Sequence, residues 1–187
     1  WKEEPEDIVV HRLTNSQFQR ISTLKSANKV LAIVKIPKFT KLEKDGITLV
    51  LDDIKNPGNL GTIIRVCDWF GIKQIVCSLN TVDVYNPKVV QATMGSLFRI
   101  NIIYNDLKEY LSGIDTPVYA ASMNGENIRG IEFPSSINLI LGNESTGISD
   151  DFAEFITKKI TIKNVESNTE SLNVAIATAI LLYEVSC

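Results

Sequence analysis

Ile47-Thr-Leu-Val-Leu-Asp-Asp-Ile-Lys-Asn-Pro-Gly-Asn-Leu-Gly-Thr-Ile-Ile-Arg65 sets the pattern on which most of this chain is built. An apolar run, Ile47 to Leu51, reads as a buried strand; a polar loop follows, and then an amphipathic helix. Leu60, Ile63, Ile64, Cys67 and Phe70 share one stripe at helical spacing, which leaves Arg65 off the buried face. Gly58 permits a positive φ, and Asn59 is placed to cap a helix starting at Leu60. The same beat repeats toward the carboxyl terminus. Strands are predicted at Gln74 to Ser78, Ile100 to Tyr104, Val118 to Ser122, Ile137 to Leu141 and Lys159 to Ile162. Helices are predicted to begin near Pro87, Asp106 and Asp150, with a closing helix from Leu172. Short strands alternating with helices specify an α/β fold, a mainly parallel sheet with helices on both faces. Ligands of such sheets bind outside the carboxyl ends of the strands, so the loops there carry the functional information.

Toward the amino terminus the beat stops. Thr14-x-x-Gln17 reads as a capping box before a short helix with Phe18, Ile21 and Leu24 at helical spacing. Val30 to Ile36 reads as an apolar strand ended by Pro37, and Lys38 to Gly46 as a linker. The expected division is therefore an opening unit with its linker, residues 1–45, and an α/β domain, residues 46–187. The first residues are acidic and carry neither an initiator Met nor an apolar core, so they are not read as a signal peptide, and the chain is expected to start partway through a longer product.

Composition narrows the function classes. The chain has 187 residues, 44% of them hydrophobic and 22% charged, the balance of a folded globular protein. Its 19 Lys and Arg against 22 Asp and Glu leave a net charge of −3, so any nucleic-acid binding must come from local patches. The longest apolar run, Val174 to Tyr183, is well short of the roughly 20 residues that a membrane helix needs. Cys67, Cys77 and Cys187 form no C-x-x-C pair and suit a reducing cytoplasm. His11, in the opening unit, is the only histidine, which argues against a Ser-His-Asp or Cys-His centre and leaves no ligand set for zinc. No G-x-G-x-x-G occurs, which argues against a dinucleotide fold.

Three loops remain as candidates. Asn56 to Arg65 combines helix N-terminal amides with a nearby guanidinium and could hold an anion, although a well-made turn with a solvated arginine explains the spacing as well. Gly142-Asn-Glu-Ser-Thr-Gly-Ile-Ser149 follows the phosphate-loop pattern except that Ile148 stands where lysine belongs, and Glu144 adds repulsion. An ATPase is therefore disfavoured, and a loop approached by an uncharged or cationic ligand through backbone contacts fits better; a plain helix-entry turn is the alternative. The third loop, Asn164 to Asn173, leads into the alanine-rich closing helix. Ser171 or Glu170 could cap that helix, while Asn173 on an otherwise apolar element has no evident structural reason.

Taken together, the three loops resemble the three ordered signature motifs of the SpoU/TrmH family of SPOUT RNA 2′-O-ribose methyltransferases. The first is Asn56 to Arg65, the second Leu141 to Ser149, and the third Ser171-Leu-Asn-Val-Ala-Ile-Ala-Thr-Ala179 with Tyr183-Glu184. Asn86 to Phe98 is similar to a further family segment, and Lys163-Asn164 stand where members often carry Pro-Met. The resemblance implies a SPOUT-type α/β knot, with the carboxyl-terminal segment tied as a deep trefoil, and S-adenosylmethionine bent among the knot loops. It places the cofactor on Gly142, Ile162 and Leu172. It implies a homodimer with sites at the subunit interface, an RNA substrate (rRNA rather than tRNA), and neither metal nor membrane. The opening unit is similar to the tail of an RNA substrate-binding domain that precedes the catalytic domain in many members.

The reaction so implied is in-line transfer of a methyl group from a sulfonium to a ribose 2′-oxygen. The resemblance assigns Arg65 to the hydroxyl and its neighbouring phosphate, Asn59 to positioning the hydroxyl or the loop, and Glu144 to orienting Arg65 or Ser171. Ser171 and Asn173 shape the pocket beside the methyl. Because a guanidinium stays protonated to a pKa above about 12, Arg65 is assigned to stabilising developing alkoxide rather than to removing the proton. A nucleotide-binding regulatory module and a non-catalytic RNA-binding relative are the alternatives; tight ATP binding would favour the first, and absence of methyl transfer the second.

Overall fold

The buried residues of the strands divide by parity. Leu49, Leu51, Ile75, Cys77, Leu139 and Leu141 belong to one apolar cluster, whereas Val50, Val76 and Ile140 belong to a second. Successive side chains on a strand point to opposite faces, so both faces of this sheet are covered. The computed structural model describes residues 8–22, 29–36, 42–164 and 171–186. In chain order the elements are α1 (Asn15–Ile21), β1 (Ile47–Leu51), α2 (Pro57–Trp69), β2 (Gln74–Ser78), α3 (Pro87–Thr93), β3 (Asn101–Asn105), α4 (Leu107–Ser112), β4 (Val118–Asn127), β5 (Ile137–Leu141), β6 (Lys158–Thr161) and α5 (Val174–Ser186). The six strands form one sheet in the order β3-β2-β1-β5-β4-β6, every pair parallel. The expected α/β architecture is thus present.

Residues of α2 and α5 pack on the first cluster, and α4 with Phe152 on the second. The chain leaving β1 therefore turns to one face, and the chain leaving the adjacent β5 turns to the other. This divergence opens the crevice in which such sheets bind ligands. The Asp52 amide donates to the Leu141 carbonyl at 2.9 Å, carrying the β1–β5 ladder into the two loops.

Several expectations are corrected. Asp150–Phe155 is a 3-10 helix rather than an α-helix, a short piece capped by Ser149. The fourth strand runs on to Asn127 through a bulge, with Ala121 and Glu126 both opposite Ile160. Gly125 fits there because a Cβ would lie 2.6 Å from the Ile160 backbone. Leu42 to Gly46 are not a free linker: Leu42 packs on the second cluster, Glu43 exchanges backbone hydrogen bonds with the Gln74 amide, and the Gly46 amide donates to Ser136.

By contact the chain divides into Trp1–Pro37 and Lys38–Cys187. In the first unit the capping box of Thr14 and Gln17 is formed as expected. The strand expected at Val30 to Ile36 is absent: these residues are exposed and unpaired with any described strand, and one strand has no partner for its backbone groups. Leu24, Pro37, Glu170 and Cys187 lie outside the described residues.

Candidate active site

The helix after β1 starts earlier than its apolar stripe suggests, and this changes what Asn59 does. Asn56, not Asn59, is the N-cap, accepting from the Gly58 and Asn59 amides at 2.8 and 3.2 Å, with Pro57 at the first helical position. The Asn59 side chain is left free of the backbone. Its amide nitrogen donates to a Glu144 carboxylate oxygen in a very short contact, and its carbonyl oxygen accepts from the Asn173 amide at 3.0 Å. Asn59 in the first turn of α2, Glu144 in the loop after β5 and Asn173 just before α5 thus meet side chain to side chain.

Asn173 is held for this task. Its carbonyl oxygen accepts from the Ala175 and Ile176 amides at 3.0 and 3.4 Å, so Asn173 caps α5, displacing the expected cap Ser171 and starting the helix at Val174 rather than Leu172. Its amide nitrogen is then aimed at Asn59. Glu144 takes Asn59 as its hydrogen-bonding partner rather than Arg65 or Ser171, because the early helix start brings Asn59 up to the second loop.

Beside this contact lies a cavity of about 820 Å³, walled by Leu141 to Asp150, Lys159 to Asn164 and the start of α5. Gly142, Ile162 and Leu172 all line it, as do Glu144 and Ser171. The size is that of a drug-sized or cofactor pocket. Gly142 is where backbone crowding is tightest: a Cβ there would lie 2.2 Å from the Gly147 carbonyl group and 2.3 Å from the Ile148 nitrogen. The loop closes on itself through Asn143 and Gly147, which exchange backbone hydrogen bonds of 3.0 and 2.9 Å. The walls are mixed: Ile148, Ile162 and Leu172 offer apolar surface, Lys159 and Lys163 also line the cavity, and the loop itself holds no lysine to grip a polyphosphate.

Arg65 does not line the cavity. It lies exposed on the outer stripe of α2 with Gly58, Thr62 and Trp69, and pairs with no residue among those described. Ser122 and Met123, beside the β4 bulge, and Asn143 also line the cavity, and none of them stood out in the sequence. Asn124-Gly125, a turn signal at the end of the segment Val118 to Met123, was the available clue.

Asp52, largely buried at the end of β1, accepts from the Ser149 amide at 2.9 Å. Burial raises its carboxyl above the usual range, opposed by that hydrogen bond. Cys67 and Cys77 are fully buried, and desolvation pushes both thiols up, Cys77 to about 12, so neither is poised as a nucleophile. Among the described residues no group of three His, Cys, Asp or Glu is placed to hold a metal ion, and no helix is long and apolar enough to cross a membrane.

Residues 46–183 match the model of the SpoU rRNA Methylase family. The chain belongs to that family. It is 30% identical over 180 residues to the 23S rRNA (guanosine(2553)-2′-O)-methyltransferase RlmP of Bacillus subtilis (strain 168), covering 94% of this chain and 72% of that relative. A solved TrmH-family structure from Porphyromonas gingivalis superposes with a TM-score of 0.82 at 38% identity, over 97% of this chain and 72% of that one. The AdoMet-bound rRNA methyltransferase from Sinorhizobium meliloti gives a TM-score of 0.71 at 32% identity, over 76% of this chain and 56% of that one. The fold is thus shared with these structures, and the Sinorhizobium meliloti protein was solved with AdoMet bound.

Proposed function

We propose that this chain is an RNA methyltransferase that transfers a methyl group from S-adenosylmethionine to a ribose 2′-hydroxyl, with rRNA as the substrate. The observation that carries the reading is the meeting of Glu144, Asn59 and Asn173 at the mouth of a cavity lined by Gly142, Ile162 and Leu172. When bound, S-adenosylmethionine supplies an electrophilic methyl carbon on a positively charged sulfur. The chain's own residues must hold the acceptor oxygen in line and favour its alkoxide character. Asn59 spends one N–H on Glu144 and its oxygen on Asn173, which leaves one N–H for the ribose hydroxyl. Glu144 and Asn173 fix the amide orientation, and Ser171 borders the cavity beside them.

Arg65 enters this scheme through assembly. The outer face of α5 exposes Ile176, Ile180 and Tyr183 at helical spacing, Leu172 is exposed just before the helix, and Trp69 on α2 is 84% exposed. The α2 helix packs on α5, with Phe70 edge-on to Tyr183. An apolar surface of this kind marks an interface, and we assign it to a two-fold homodimer. Arg65, on the same outer stripe as Trp69, then acts in the partner's cavity, where it stabilises the developing alkoxide and grips the adjacent phosphate. The carboxyl-terminal segment is threaded as a trefoil knot in this reading, supported by the way residues 141–150, 159–164 and 171–181 contribute to one cavity. The opening unit serves as the tail of an RNA substrate-binding domain, and the enzyme works in the reducing cytoplasm that its buried free thiols suit.

Calorimetric titration separates this reading from a nucleotide-binding module. S-adenosylmethionine or its demethylated product should bind, and ATP far more weakly; comparable ATP affinity would overturn the assignment. Mapping ribose methylation in cells lacking the gene identifies the modified nucleotide.

A further inference from the structure

Asp53 is one of two non-glycine residues with a positive φ among those described, at 57°. Aspartate tolerates the left-handed region better than most residues, yet such a conformation persists only where its surroundings fix it. Here they do. The Asp53 amide donates to Ser78 Oγ at 2.8 Å, and its carboxylate pairs with Lys55 at 2.5 Å. Lys55 in turn donates to the Asn80 carbonyl at 2.8 Å. The Asn143 side-chain nitrogen donates to the Asp53 carbonyl at 2.9 Å and, more weakly, to its carboxylate at 3.3 Å.

Asn143 is the residue around which the cofactor loop is folded. Its backbone pairs with Gly147 in both directions, and its side-chain oxygen accepts from the Ser145 and Thr146 amides at 2.8 and 3.4 Å. Only its amide nitrogen reaches outward, and it reaches Asp53. Two further ties run in parallel, from the Ser149 amide to Asp52 and from Asn59 to Glu144. The loop Gly142 to Ser149 is therefore fastened twice near its start and once at its end to the segment Asp52 to Asn59.

We propose that Asp53 is a positioning residue whose left-handed backbone aims its carbonyl at Asn143, so that the cofactor loop and the ribose-side loop move as one unit. The ligand assigned to the loop rests on the S-adenosylmethionine reading above; the coupling itself does not. The main bond is accepted by the backbone carbonyl, so conformation at position 53 matters more than the carboxylate. Glycine, which adopts positive φ freely, should preserve the tie, and a β-branched residue should break it.

The test uses the full chain, with amide hydrogen exchange of the cofactor loop and calorimetry with S-adenosylmethionine. Asp53→Gly should keep protection of the Ser145, Thr146 and Gly147 amides and a dissociation constant within about threefold of the parent. Asp53→Val should speed exchange of those amides and weaken cofactor binding, each by about tenfold, the equivalent of one lost hydrogen bond. Asn143→Asp retains the acceptor for Ser145 and Thr146 while removing the donor to Asp53, and should reproduce the Asp53→Val loss even if that variant folds poorly. Unchanged exchange in Asn143→Asp, or Asp53→Gly as damaging as Asp53→Val, would overturn the proposal. Should the parent bind no S-adenosylmethionine, the functional reading fails, whereas the exchange pattern still decides the coupling.

Discussion

Replacing Gly142 with alanine probes the cofactor loop at its tightest point. The added methyl would lie 2.2 Å from Gly147 backbone atoms, against 3.4 Å or more for an ordinary contact, so the two segments must part by about 1.2 Å. That displacement stretches both Asn143–Gly147 hydrogen bonds, now 3.0 and 2.9 Å, past useful length. At about 1 kcal/mol each, their loss removes about 2 kcal/mol from the closed loop. If the open loop does not bind cofactor, affinity falls about thirtyfold. If the change propagates to global stability, the melting temperature falls by about 4–8 °C for a chain of this size. The clash is with the loop's own backbone, so the defect arises before any ligand enters, and a Gly142→Val chain should be impaired in its apo state rather than only at the ligand-binding step. Gly147→Ala is the control: it meets open space but sits at φ +72°, so it should cost about 1 kcal/mol through conformation alone. Calorimetry with S-adenosylmethionine and a thermal scan give both numbers. A Gly142→Ala chain with parental affinity and melting temperature would show that the loop does not depend on this close approach.

Other expectations follow from the same geometry. Arg65→Ala should lower single-turnover methylation by about a hundredfold or more with stability changed by less than about 0.5 kcal/mol, and Arg65→Lys should rescue little because the planar fork is lost. Mixed dimers of Arg65→Ala with Glu144→Ala chains should recover part of the activity, since one of their two sites is intact when Arg65 acts across the interface; no recovery would place Arg65 in its own chain's site. Light scattering should give twice the 20.8 kDa chain mass, and a fully active monomer would contradict the shared site. Burial raises the Asp52 carboxyl, so in the folded state it binds its proton more readily than in the unfolded chain. Its contribution to stability is present at low pH and lost as pH rises through the raised native value. Asp52→Asn should therefore melt higher than the parent at neutral pH, with the gain shrinking toward the ordinary carboxylate value of 3.8.

The strands were legible because both faces of the sheet are covered, which makes each one a short continuous apolar run such as Ile137 to Leu141. Helix starts were less so. Apolar periodicity begins at Leu60, but the Asn56 cap and Pro57 begin the helix three residues sooner, and only that shift frees Asn59 for Glu144. The candidate residues could be named from motif order, yet their wiring could not: which side chain pairs with Glu144 depends on distances between loops 85 positions apart in the chain. Asn173 had no evident purpose as a lone polar residue before an apolar helix, and its capping bonds supply one. Val30 to Ile36 had strand composition without a described partner, and pairing is a tertiary property that composition does not encode. The position of Arg65 outside the cavity was equally illegible, since which loops close around one cavity is a property of the folded chain and not of residue spacing.

Methyl transfer to a ribose oxygen is measured directly with labelled cofactor. The full chain is incubated with methyl-labelled S-adenosylmethionine and ribosomal RNA, and the RNA is digested to nucleosides that are resolved by mass. The label should appear in a 2′-O-methylnucleoside, at a level that drops by about a hundredfold in the Arg65→Ala chain. Label on a base, or no label in RNA from a chain that binds the cofactor, would contradict it.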